Sequence, residues 1–95
     1  MKNDAGKPRF DLIPPEVELE LAKVYEYGGR KYTENNYRQG TEYLRYLAAA
    51  RRHMNAWHLK EDADRESGIN HLAHAIASLS MLLCIQLTGV GKDNR

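Results

Sequence analysis

Cysteine and phenylalanine each occur once and proline three times in the 95 residues, and the scarcities exclude several classes of protein. A lone Cys84 cannot form an internal disulfide, so the chain is not a small cross-linked extracellular scaffold; inside an apolar segment it reads as a buried small hydrophobe. An excess of either charge is also missing. With 14 Lys and Arg against 13 Asp and Glu, the net charge of +1 argues against a duplex nucleic-acid partner, and any anion recognition has to be local. The longest apolar stretch, Ile76 to Ile85, is broken by serines and too short to span a bilayer. The N-terminus carries no secretory hydrophobic segment, so a cytoplasmic protein without a membrane partner is expected. No repeat or low-complexity tract is present, and residues 1–95 fit a single small domain.

Proline, glycine and charge are all absent from Ile69 to Leu87, which marks a central helix over about residues 68–87, entered at Ser67 and Gly68. At ~100° per residue Leu72, Ile76, Leu79 and Leu83 share one stripe, the expected core face. His71, His74 and Ser78 fall within ~60° of one another on a different face, which continues into Met81, Leu82 and Ile85. A helix apolar nearly all round needs cover on both sides. Two more helices are predicted. One spans about residues 14–28, entered at Pro14 and Pro15, carrying Val17, Leu21 and Val24, and stopped by Gly28 and Gly29. The other spans about residues 42–59, capped by Thr41, with Tyr43, Leu47, Ala50, Met54 and Trp57 on its apolar stripe. Residues 1–12 read as an extended basic arm carrying Lys2, Lys7 and Arg9, and residues 89–95 as a frayed tail. Residues 29–40 form either a solvated connector or a loop whose Lys31 and Arg38 meet an anion. The fold class is all-α: a small bundle of three main helices, completed by homo-oligomerisation.

All four histidines, the only tryptophan and the densest acidic cluster lie between Arg51 and Ile85. His71 and His74, an HxxH pair on a helix, point the same way, as metal ligation requires; a third ligand would come from His53 or from the acids of Glu61 to Glu66. The same imidazoles fit structural hydrogen bonding, acid–base work or direct contact with phosphate. Arg51 and Arg52 are solvated helix cations, or they pair with the phosphates of a nucleotide whose base stacks on Trp57 or a tyrosine.

In order along the chain, GKPRFDLIPPE, YEYGGRKYTENNYRQG, YLRYLAAARRHMNAW and EDADRESGINHLAHAIASLSML resemble the phage-associated dATP/dGTP diphosphohydrolase N-terminal domain family over roughly Lys7 to Leu83. That family is similar in turn to the all-α, MazG-like nucleoside triphosphate pyrophosphohydrolases, whose ExxE and ExxD motifs hold magnesium. The chain departs from this wider pattern: His71 and His74 stand where ExxD would be expected, and no ExxE lies on the second helix. The narrower resemblance implies a site drawn from Lys31, Asn36, Arg52, His53, Asp62, Glu66, His71 and His74. The expected function is hydrolysis of a purine deoxynucleoside triphosphate to the monophosphate and pyrophosphate, in the host cytoplasm for a phage-encoded protein. In that scheme Glu66 and His53 are catalytic, Lys31, Asn36, Arg52 and Trp57 hold the nucleotide, and His71, His74, His53 and Asp62 hold a divalent metal, Mg or Mn. The alternatives are a non-catalytic nucleotide binder and an accessory helical module of a larger hydrolase.

Overall fold

The computed structural model describes residues 5–32 and 36–95. Residues 1–4, with Lys2 of the basic arm, and residues 33–35 of the connector lie outside the described part. Three helices carry the fold: α1 (Pro15–Lys31), α2 (Tyr43–His58) and α3 (His71–Thr88), with short 3-10 turns at Phe10–Leu12 and Asn36–Gln39. Among the described residues there is no strand, so the chain is all-α.

The helix ends differ from the sequence expectation in ways that have local causes. α1 runs through Gly28 and Gly29 to Lys31. Two glycines cost a helix about 1 kcal/mol each, but Arg30 and Lys31 in the last turn complement its dipole, and the Tyr32 amide caps the Gly28 carbonyl. α2 is not capped by Thr41. Its free amides are met by the C-terminal tail, where the Lys92 carbonyl accepts from Tyr43 N–H at 2.9 Å and Asn94 Oδ1 accepts from Leu44 N–H at 3.1 Å. The tail is therefore docked rather than frayed. Its approach depends on Gly40, at φ +80°, where a Cβ would stand 2.6 Å from the Gly91 nitrogen. α3 begins at His71, three residues later than predicted: Asn70 caps it by accepting from Leu72 N–H at 2.8 Å, and Gly89 closes it in the left-handed conformation.

α3 is the central element, with α2 and α1 packed against it. The second half of α2 meets the start of α3, and the tail beyond α3 returns to the start of α2, so the two helices are antiparallel. α1 also runs antiparallel to α3, because Tyr25 bonds Ser80 while Lys31, further along, reaches Glu66.

The core is built from small side chains. Val24, Ala50, Ala73, Ala75, Ala77 and Ile85 are buried, and Val24 with Ala73 and Ala77 forms its centre. Alanines let helix axes approach closely, toward the short end of the ~8–10 Å packing distance. The stripe expected as the core of α3 is the uncovered one: Leu72, Ile76, Leu79 and Leu83 are 38–51% exposed. The buried residues of α3 lie on the rest of the helix, ~70° to ~170° around from the centre of that stripe, and they include His71 and His74, at 5% and 9% exposure. On α2 the expected stripe is buried only at Ala50; Tyr43 and Leu47 are half-buried, and Met54 and Trp57 are exposed. Cys84 is half-buried. By length and composition α3 is long and apolar enough to cross a membrane, unlike the shorter run seen in the sequence, but its histidine face is packed against protein.

Candidate functional site

Because α1 and α2 both lean on α3, a cleft of about 950 Å³ opens between them, floored by His74, Ala77, Ser78 and Met81. Its walls carry Tyr25, Tyr27, Tyr37 and Tyr46, with Lys31, Arg45 and Glu66 among the charged groups. With Tyr32 these make five phenol rings, and together with Arg30, Lys31 and Arg45 around one cavity they suit a ligand with a flat π-face and an anionic end.

At one end of the cleft stands a cluster of imidazoles drawn from two helices. His53 of α2 stacks on His74 of α3, with ring centroids 4.5 Å apart and planes 10° from parallel. Its Nδ1 lies 2.9 Å from His71 Nδ1. On the far side of His71, Nε2 lies 2.8 Å from Glu61 Oε2. An ionised carboxylate only accepts, so Glu61 accepts a hydrogen bond from His71 Nε2–H, and of the two facing Nδ1 atoms of His71 and His53 one donates and the other accepts. Arg65 holds Glu61 from behind at 2.6 Å. Together His71, first, and Arg65, second, keep the Glu61 carboxyl below the usual carboxylate range.

The loop between α2 and α3 supplies the third donor. Asp64 accepts the backbone N–H groups of Glu66 and Ser67, each at 2.9 Å, and the Asp64 amide is tied to the Ile69 carbonyl. Burial pushes the Asp64 pKa up, but these amides and the neighbouring His74 outweigh it, and the net direction is down. One atom each from His53, Asp64 and His71 lies within 4.8 Å of the others, a spacing that a single cation can bridge. Two imidazoles and a carboxylate form a mixed N/O set that suits manganese or zinc better than magnesium, which prefers all-oxygen surroundings. Burial, followed by the neighbouring His74 and His71, holds the His53 pKa below its ordinary value, and burial lowers that of His74. Both shifts favour the uncharged imidazole, the form that can offer a ring nitrogen to a cation.

Of the residues predicted from sequence, His53, His71 and His74 come together, and Lys31, Asn36 and Glu66 line the same cleft. His74 supports the cluster, its Nε2 engaged by Ser67 Oγ at 2.7 Å. Asp62 is exposed and serves through its backbone, whose carbonyl accepts from His71 N–H at 2.8 Å; the carboxylate in the cluster is that of Asp64. Arg52 and Trp57 line a separate groove with Leu44, Met54 and Leu72, away from the cleft. Glu66 is ion-paired with Lys31 at 2.8 Å, and Lys31, first, and Tyr27, second, hold its carboxyl below its ordinary value. Sequence reading held Asp64 and Glu61 only as members of the acidic run Glu61 to Glu66 and put Asp62 forward from it. The one available signal was the Asp64-x-x-Ser67 spacing, which lets an aspartate accept amides in its own turn; nothing marks Glu61.

The family described as dATP/dGTP diphosphohydrolase, N-terminal, matches residues 1–95. Among curated proteins, a dATP/dGTP diphosphohydrolase of Salmonella phage PMBT28 is 34% identical over 95 residues, covering 100% of this chain and 32% of that protein. The chain thus spans about a third of the length of the relative it matches. No solved structure matches.

Proposed function

Since this chain belongs to the dATP/dGTP diphosphohydrolase N-terminal family, we propose that its cleft takes a purine deoxynucleoside triphosphate and supports hydrolysis to the monophosphate and pyrophosphate. The observation that carries this reading is the convergence of His53, His71 and Asp64 at the end of a tyrosine-lined cleft that also carries Arg30, Lys31 and Arg45. The substrate class comes from the relative's name. The further relation to MazG-like enzymes is part of the same reading and rests on the all-α fold.

His53, His71 and Asp64 would hold a divalent cation, manganese fitting their donor types better than magnesium. Such an ion supplies positive charge toward phosphate oxygens and makes water more acidic. The residues do the rest. Glu61 fixes the His71 tautomer, and His74 and Ser67 brace His53. Lys31 and Arg45 neutralise phosphate charge, while the tyrosines receive the base. Lys31 is engaged by Glu66. A triphosphate competes for that ammonium and frees Glu66 to accept the proton of the attacking water. The water oxygen bonds to the α-phosphorus, the bridge to the β-phosphate breaks, and pyrophosphate leaves with the electron pair.

A second reading is favoured by the one-third coverage of the phage relative: a nucleotide-holding module whose catalysis needs further machinery. Incubating the chain with dATP or dGTP, manganese and ¹⁸O-water separates the two. Labelled monophosphate with unlabelled pyrophosphate, lost in His71→Ala, supports hydrolysis at the α-phosphorus. Tight binding with intact nucleotide recovered leaves the module, and neither binding nor turnover rejects both.

A further inference from the structure

An extended uncovered apolar surface lies on the side of α3 turned away from the buried histidines. Leu72, Ile76, Leu79 and Leu83 are 38%, 40%, 42% and 51% exposed, each more than any buried alanine of the helix. A helix that buries alanine and exposes leucine is reversed relative to a monomer's needs. Beside Leu72, Leu44, Met54 and Trp57 of α2 extend the patch, at 40%, 49% and 44% exposure.

From this we infer that the outer face of α3 is an interface with a second copy of the chain, with the two α3 helices antiparallel about a two-fold axis. Three observations favour that occupant. The stripe advances by four, three and four residues, the alternation by which one helix seats its side chains between those of a like helix. Nothing from Ile69 to Leu87 is charged, so two such faces meet without repulsion. An antiparallel seam centred between Ile76 and Leu79 sets each of these against the other in the second copy, closing the assembly at two subunits. In addition, the seven side chains expose on the order of 600–700 Å² of apolar surface, most of the ~800 Å² that each partner contributes to a standard interface. The single chain is correspondingly loose, with a radius of gyration of 15.1 Å against the ~12 Å of a compact domain this long.

This assignment gives Trp57 and Arg52 a place at the edge of the interface rather than in the nucleotide cleft. It is independent of the hydrolase reading, since the cleft opens on the other side of α3.

Sedimentation equilibrium of the chain between about 1 and 100 µM tests it. The expected result is a species of twice 10.9 kDa, and Leu79→Glu is expected to weaken association at least about a hundredfold with helicity unchanged. Hydroxyl-radical footprinting of the wild type locates the contact even where that variant fails to fold: Ile76 and Leu79 become protected as concentration rises, while Leu12 does not. A wild type that stays monomeric at about 100 µM overturns the inference. So does a dimer in which Ile76 and Leu79 remain as reactive as Leu12, and so does protection that arises only when neutral phosphatidylcholine vesicles are added.

Discussion

Asp64→Asn separates the folding role of the acidic loop from its ligand role, because asparagine keeps the shape and one acceptor oxygen but loses the charge. The Asp64 carboxylate accepts from two backbone amides at 2.9 Å. With the charge gone both bonds can persist as neutral ones, and charge-assisted bonds are about twice as strong, so the expected stability loss is ~1–2 kcal/mol in total. For a domain of this size that lowers the thermal midpoint by roughly 5–15 °C and leaves the protein folded at room temperature. Divalent binding is expected to suffer more. Removing a supporting group around a metal costs about 10- to 100-fold, and an anionic donor in the three-residue cluster should cost at least about a hundredfold, or ~2.8 kcal/mol. The assay is manganese titration by calorimetry beside a thermal melt, with Asp62→Asn as control, since Asp62 acts through its backbone carbonyl and its side chain is exposed. Manganese affinity within about threefold of wild type in Asp64→Asn, or an equal loss in Asp62→Asn, would refute the site as built here.

Three further outcomes are expected. Glu61→Ala frees the His71 ring, held at Nε2 at 2.8 Å, and should weaken manganese binding about 10- to 100-fold with intact helicity; unchanged affinity in calorimetry would remove Glu61 from the site. In chelator, stability should fall as pH drops below ~6.5, because folding depresses the pKa of both His53 and His74. The sign follows from proton counts: between the folded and unfolded values the unfolded chain binds more protons, so the contribution is fully present above the unfolded value and lost as pH falls through the folded one; a flat thermal midpoint from pH 7 to pH 5 contradicts it. Ala77→Leu, at a position 1% exposed where α1 meets α3, should destabilise by ~1–3 kcal/mol or more in denaturant titration through overpacking, and a neutral result would mean the helices are not packed as closely as described.

The residue pattern on its own was enough for the all-α class and for three helices near their observed places, because proline, glycine and charge are absent where α3 forms and apolar spacing marks α1 and α2. It also gathered His53, His71 and His74, since HxxH puts two rings on one side of a helix and His53 lies on the neighbouring one. It could not say which side of α3 is inside. Periodicity reports how apolar a face is, and α3 is apolar on both; the close approach of α1 and α2 selected the alanine and histidine side and left Leu72, Ile76, Leu79 and Leu83 outside. The same limit applies to the acids. Asp62, Asp64 and Glu66 look alike in a polar connection, and only the turn that ties Asp64 to the amides of Glu66 and Ser67 aims its carboxylate at the imidazoles, while Asp62 contributes a carbonyl and Glu66 an ion pair with Lys31. Directing one carboxylate among several takes backbone hydrogen bonds and a packed neighbour, and those exist only once the chain has folded.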